Sequence, residues 1–223
     1  MLGLLVLAYA AAVLFWRDPV TDLYNRYQQN RLESALEREF DAWDAGADEE
    51  DPAVERGRLA SSRAATARDA RRFSRSLELG QAFGRIEIPG IGVEAVVVHG
   101  TRWGADLSRG PGHYEKTEVP GLGKTVGIAG HRTTFGAPFR HIDDIETGDR
   151  ITLEMPYATF RYRVSEHEIV DADDWSVIRD RDFDTLMLSA CHPLYGASER
   201  WIVYARLVEV TPRQGEAYTL AAG

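Results

Sequence analysis

Thr185-Leu186-Met187-Leu188-Ser189-Ala190-Cys191 is an apolar run stopped by His192-Pro193, and Arg200 opens the next run, RWIVYARLVEV over 200–210. Proline has no amide donor for a ladder, so the first run ends there as a strand. Two such runs with a turn-rich connection predict an antiparallel hairpin. In that hairpin Cys191 and Arg200 sit at the same end of adjacent strands. The same texture extends outward on the amino-terminal side, through GRIEIPG (84–90), GVEAVVVHG (92–100), TVGIAGH (125–131), RITLEMP (150–156) and TFRYRVSEHEIV (159–170). Short β-branched runs punctuated by Gly and Pro, with few helical windows between them, predict an all-β barrel or sandwich over 83–210.

Composition bounds the rest. The 223 residues suffice for one sizeable domain with extensions. A net charge of −9 overall, and of −6 within 83–210, argues against a nucleic-acid partner. Lys116 and Lys124 are the only lysines beside 24 arginines, a compositional bias rather than a basic surface. One cysteine excludes an internal disulfide and a cysteine-rich zinc site. Cys191 is therefore either an inert small core residue or a reagent.

Residues 2–16 (LGLLVLAYAAAVLFW) are almost wholly apolar and end in Phe15, Trp16 and Arg17, a membrane-interface pattern. As a helix the run spans about 22 Å, short of a ~30 Å bilayer core. It is read as a membrane anchor (1–16) whose start lies upstream, with a signal peptide or a buried helix as alternatives. Either of the first two exports the remainder of the chain. Between 17 and about 45, apolar residues at Leu23, Tyr27, Leu32, Leu36, Phe40 and Trp43 predict an amphipathic helix. The stretch 44–76 is small and charged and is expected to be a solvated linker or frayed helix. Together 17–82 form a helical or disordered stalk, and 211–223 a loose tail.

Other motifs carry less. GLGKT (121–125) resembles the end of a phosphate loop, but Glu118 stands where that loop needs its first glycine. Asp171, Asp173 and Asp174 lack the glycine and distal glutamate of a calcium loop and are expected to form a solvated turn. No metal or other cofactor is expected. Among six histidines, His131 stands out because it ends the apolar run TVGIAG and opens the turn HRTTFGAPF, at a strand rim.

A free thiol is only about 3% thiolate at neutral pH. A neighbouring imidazole stabilises the thiolate and later protonates a leaving group. Arginine stays charged and presents a fork of donors suited to an oxyanion. Cys191, His131 and Arg200 thus supply a nucleophile, an acid/base and an electrophilic stabiliser for acyl transfer through a thioester. Redox chemistry would want a second, resolving cysteine.

GIAGHRTTFGAPF, LSACHP, Arg200 nine residues beyond the cysteine, and GPGHYEKT upstream together resemble the sortase family, most closely its class E-like actinobacterial type. The resemblance covers about 83–210. It implies an eight-stranded β-barrel with short helices, preceded by the amino-terminal helical stalk. It implies a membrane-anchored cysteine transpeptidase, single-pass, with its catalytic domain outside the cell. Cys191 would attack the Thr–Gly bond of an LPxTG- or LAxTG-type sorting signal on surface proteins. The acyl group would pass to an amine of a cell-wall precursor or another acceptor. His131 would be the acid/base and Arg200 the oxyanion partner. Tyr114, Thr133, Leu188, Ser189 and Ala190 would line the substrate groove, although a buried Tyr114 also needs no function. The family's common Thr-Leu-x-Thr-Cys reads Met187-Leu188-Ser189-Ala190-Cys191 here, so two hydroxyls are absent. Two rival functions stay open: an exported cysteine hydrolase with water as acceptor, and a non-enzymatic membrane-anchored β-domain with Cys191 in its core.

Overall fold

A computed structural model describes Gly3 and residues 19–45, 58–181 and 183–220. The apolar run 2–16 read as an anchor lies outside the described residues, Gly3 apart, as does 221–223. Among the described residues no helix is long and apolar enough to cross a membrane. Two helices, α1 (Pro19–Ala45) and α2 (Arg58–Ser76), precede β1 (Ala82–Ile88), β2 (Val93–His99), β3 (Gly112–His113) and β4 (Thr125–Gly130). There follow β5 (Arg150–Met155), β6 (Ala158–Asp171), β7 (Thr185–His192), β8 (Glu199–Pro212) and β9 (Tyr218–Thr219).

The strand order is β6-β5-β1-β2-β3-β4-β7-β8, and a further β6–β8 pairing closes the ring into an eight-stranded barrel, with β9 added on β8. Strand β6 can serve both neighbours because it is 14 residues long and shifts register twice against β8, near Arg161 and Val164. Such bulges bend and twist a strand enough to close a barrel. β2–β3 and β4–β7 pair in parallel, the other pairs antiparallel.

Alternation fills the interior. Val126, Ile128, Leu186, Leu188, Ala190, Val203 and Ala205 share one buried core with Phe83, Ile86, Leu153 and Phe160. The intervening Met187, Ile202 and Tyr204 form a second cluster with Val177 on the other face of the same strands. That two-sided burial is why TLMLSA reads as continuously apolar instead of alternating.

The amino-terminal segments are two helices that precede the barrel and pack on it. Leu32, Leu36 and Phe40, four residues apart on α1, pack on Ala82, Val96 and Val98. Gln29 splints the β2 edge: its Nε2 donates to Val96 O and Arg109 O, and its Oε1 accepts from Val96 N (2.8 Å). Within 44–76, expected to be a solvated linker or frayed helix, Arg58–Ser76 is a docked helix. Ala70 and Phe73 are buried in the main core, and the Phe73 ring lies 5.6 Å from Tyr157 and 6.2 Å from Phe83. Ser62, Thr66, Ala70 and Phe73 form one buried stripe at helical spacing. Two of the four are hydroxyl residues, so an apolar count along the sequence passes over it, while the large ring dominates the burial energy. The tail is also more ordered than expected: β8 runs to Pro212, and Tyr218 pairs with Val210.

Candidate active site at the ends of β4, β7 and β8

Register brings three distant segments together. Parallel pairing of β4 with β7 sets Gly130 beside Ala190, so His131 and Cys191 each follow by one residue. Antiparallel pairing of β7 with β8 sets Cys191 opposite Arg200. Neighbouring strands run about 4.8 Å apart. Parity fixes the face as well. Leu188, Ala190, Val203 and Trp201 turn to the barrel core, so Cys191 and Arg200 turn to the other side with Met187, Ser189, Ile202 and Tyr204. His131, two residues beyond Ala129 on β4, shares that parity. The predicted hairpin and the rim position of His131 are therefore both present.

Glycines make room on each face. A Cβ on Gly127 would lie 2.9 Å from the Tyr114 ring and 3.1 Å from Met187 Cε. A Cβ on Gly130 would lie 2.4 Å from the Phe139 ring. The strand can therefore receive an aromatic ring against its backbone on each side.

Cys191 is a half-buried free thiol. His131 is half-buried too; its Nε2 is buried without a hydrogen-bond partner, and its ring lies 5.3 Å from Phe135. Burial pushes its pKa below the ordinary imidazole value, so the ring is neutral at pH 7. Arg200 Nη1 donates to Ala197 O (3.0 Å) and Glu199 O (2.8 Å), which fixes the guanidinium against its own turn. Burial pushes the Tyr114 hydroxyl up, opposed by a hydrogen bond with Ser189 and by the charge of Arg200, while Cys191 adds to the rise. Tyr114 and Ser189 therefore belong to the same neighbourhood as the cysteine and arginine. Trp175 meets the Tyr114 ring edge-on at 6.4 Å, and Lys116 lies over Trp175.

Among the described residues no group of three or more His, Cys, Asp and Glu is arranged to hold a metal ion. Asp171, Asp173 and Asp174 are exposed, and Asp174 caps the short helical turn Trp175–Ile178 through Ser176 N. Two cavities, of about 580 Å³ between α1 and β1 and about 170 Å³ beside α2, share no lining residue with the site.

The sortase domain family model matches residues 86–208. The chain belongs to the sortase family. Sortase D of Bacillus subtilis is 36% identical over 135 residues, which cover 59% of this chain and 66% of that protein. Sortase SrtE1 of Streptomyces coelicolor is 32% identical over 153 residues, 62% of this chain and 44% of that protein. This sortase thus spans less than two thirds of the length of either relative. A crystal structure of sortase E1 from Streptomyces coelicolor with a tripeptide in the active site superposes with a TM-score of 0.57 at 31% identity, covering 60% of this chain and 92% of that one.

In this sortase the groove residues expected from sequence divide by parity. Tyr114 and Ser189 face the Cys191 side. Leu188 (0% exposed) and Ala190 (3%) are instead core residues of the barrel, because the two-residue period of a strand turns them inward. They cannot line an outer groove. Thr133 is half-buried in the turn after His131. Of the two family hydroxyls absent, the Met187 side chain sits in the outer apolar cluster and the Ala190 side chain in the core.

Sequence reasoning missed two features. Arg132 is buried, pairs with Asp143 and donates to Arg140 O, with a longer bond from Nη1 to Cys191 O (3.4 Å). It ties the ends of β4 and β7 to the 131–145 segment. The dipeptide His131-Arg132 was the available signal, but nothing in sequence pointed to Asp143. The second is a histidine pair, in which His99 Nδ1 and His113 Nδ1 are 2.9 Å apart. Glu118 O can only accept, so His113 carries its proton on Nε2 and its Nδ1 accepts from His99. Burial, then the His99 charge, pushes His113 down to about 3. This neutral pair secures β3 to β2 one residue before Tyr114.

Proposed function

We propose that this sortase is a membrane-anchored transpeptidase of class E-like type. It cleaves the Thr–Gly bond of an LPxTG- or LAxTG-type sorting signal and transfers the acyl group to a cell-wall amine. The observation that carries the proposal is the register placing His131, Cys191 and Arg200 on one face at one end of three adjacent strands.

In this reading the neutral His131 takes the Cys191 proton as sulfur attacks the threonine carbonyl carbon. Negative charge gathers on the carbonyl oxygen, where the Arg200 fork stabilises it. The imidazolium gives its proton to the departing glycine amine, leaving a thioester on Cys191. An incoming amine attacks the thioester, His131 removes its proton, and the thiol is regenerated as the new amide forms. Tyr114, Ser189 and Trp175 flank the bound signal on the outer face. Residues 2–16 hold the enzyme at the outer face of the membrane, where surface proteins and wall precursors meet it.

Incubation with LPxTG and LAxTG peptides, with and without a glycine-based amine, tests the reading. A thioester adduct on Cys191 seen by intact mass, and amide product that rises with amine, are expected. Product that stays free acid at every amine concentration leaves hydrolysis in place of transfer. The 36% identity to sortase D favours a second subclass reading. A peptide panel varied at the second and fifth motif positions separates the two.

A further inference from the structure

Helix α1 continues past its apolar anchor residues to the turn that follows His131. Thr21, Tyr24 and Asn25 lie three and four residues apart, on one helix face. Thr21 Oγ1 accepts from the Phe135 amide (3.0 Å), and the Tyr24 ring meets the Phe135 ring edge-on at 6.4 Å. A Cβ on Gly136 would lie 2.5 Å from Asn25 Oδ1, so the helix is pressed against the loop backbone. Asn25 Nδ2 in turn donates to Ser108 O.

The contacted loop is the most strained in the described chain. Phe135 (φ 51°), Gly136 (φ 75°) and Ala137 (φ 44°) run consecutively through the left-handed region, which side chains other than glycine resist. A backbone so held persists only when its surroundings over-determine it. Here the consequence falls on His131. The strained turn brings the Phe135 ring to 5.3 Å from the imidazole, whose Nε2 is buried and unpartnered.

We propose that Thr21 and Tyr24 are positioning residues for His131: from α1 they hold the 135–137 turn so that Phe135 covers the imidazole and sets its orientation. The amino-terminal helix thereby completes the site, acting through Phe135 without touching substrate. The role in turnover rests on the transpeptidase reading above, but the covering of His131 does not.

The test uses the full chain with Tyr24→Ala, Tyr24→Phe, Thr21→Val and Phe135→Ala, and the Tyr24→Ala/Phe135→Ala pair. Carbethoxylation of His131 by diethyl pyrocarbonate, read by mass spectrometry against the exposed His141, measures the cover. Several-fold faster modification in Tyr24→Ala, Thr21→Val and Phe135→Ala is expected, with protection recovered in Tyr24→Phe. The double variant should be no faster than Phe135→Ala alone, because both act through one ring. With a sorting peptide, kcat should fall while KM holds. Unchanged His131 modification in folded Tyr24→Ala and Thr21→Val, or an additive double variant, overturns the proposal. If Tyr24→Ala does not fold, the near-isosteric Thr21→Val decides. A wild-type enzyme that cleaves no sorting peptide removes the transpeptidase reading, and the modification rates still decide the covering.

Discussion

Cys191 and Arg200 stand directly opposite one another across β7 and β8, and both turn away from the barrel core. Thiol and guanidinium thereby share a face, a strand end and a neighbouring Tyr114. Arg200→Lys keeps the charge and loses the planar fork. Turnover of a sorting peptide should fall about 10²-fold or more, as for a lost oxyanion donor, with little change in melting temperature. Equal activity in that variant would remove the oxyanion role.

Cys191→Ala should fold as the wild type does and form no acyl adduct by intact mass. Residual adduct formation would point to another nucleophile. In the wild type the thiol should be alkylated by iodoacetamide in the folded state, because it is only half-buried. A thiol protected until denaturation would favour the non-enzymatic reading.

Burial depresses His131, His99 and His113 below their ordinary value, His113 to about 3. Below pH 6.5 the unfolded chain therefore binds protons that the folded chain refuses. Stability is intact above that pH and falls as pH drops, for His113 until about pH 3. For His113, which is almost fully buried, keeping the ring neutral costs about 1.4 kcal/mol per pH unit within that window. Denaturant titrations at pH 7 and pH 5 should show the loss, and His113→Asn should make it shallower. A flat profile would contradict the burial.

Arg132 is nearly inaccessible, whereas Asp143 keeps more than a third of its side chain in water. Breaking a fully buried pair costs about 3–5 kcal/mol, and the exposure of Asp143 puts Arg132→Met at or below the low end. Asp143→Asn should cost more than an exposed pair does, because it leaves the buried guanidinium uncompensated. Chemical denaturation of both variants gives the comparison, and a loss under the ~1 kcal/mol of an exposed pair would place the tie outside the fold's stability.

Phe73→Ala should cost about 3–5 kcal/mol, as large ring deletions from cores do. The measurement is again chemical denaturation. A cost below ~1 kcal/mol, far under that range, would restore 58–76 as a solvated linker.

The site was legible in sequence where its logic is local. Cys191 and Arg200 belong to one hairpin, and a proline marks where it turns. His131 carried a weaker signal, a strand end followed by a glycine-rich turn, and its pairing with Cys191 depends on a parallel register that spacing does not reveal. The groove was harder still. Two-sided burial of TLMLSA hides which residues face in, so Leu188 and Ala190 could not be told from Ser189. The docking of α2 uses Ser62, Thr66, Ala70 and Phe73, of which only two are apolar, and the His99–His113 pair joins residues that look isolated along the chain. Long-range partners of single residues leave no periodicity to read.

Gly130 and Ala190 pair across a long intervening stretch of chain, and nothing nearer in sequence can bring His131 to Cys191. Non-local pairing of this kind is intrinsically slow, because a long loop must close before any contact rewards it. Without that pairing the chain carries a thiol without its imidazole. In the transpeptidase proposed above, acylating power would then belong to the closed barrel, where the β4–β7 register sets His131 beside Cys191.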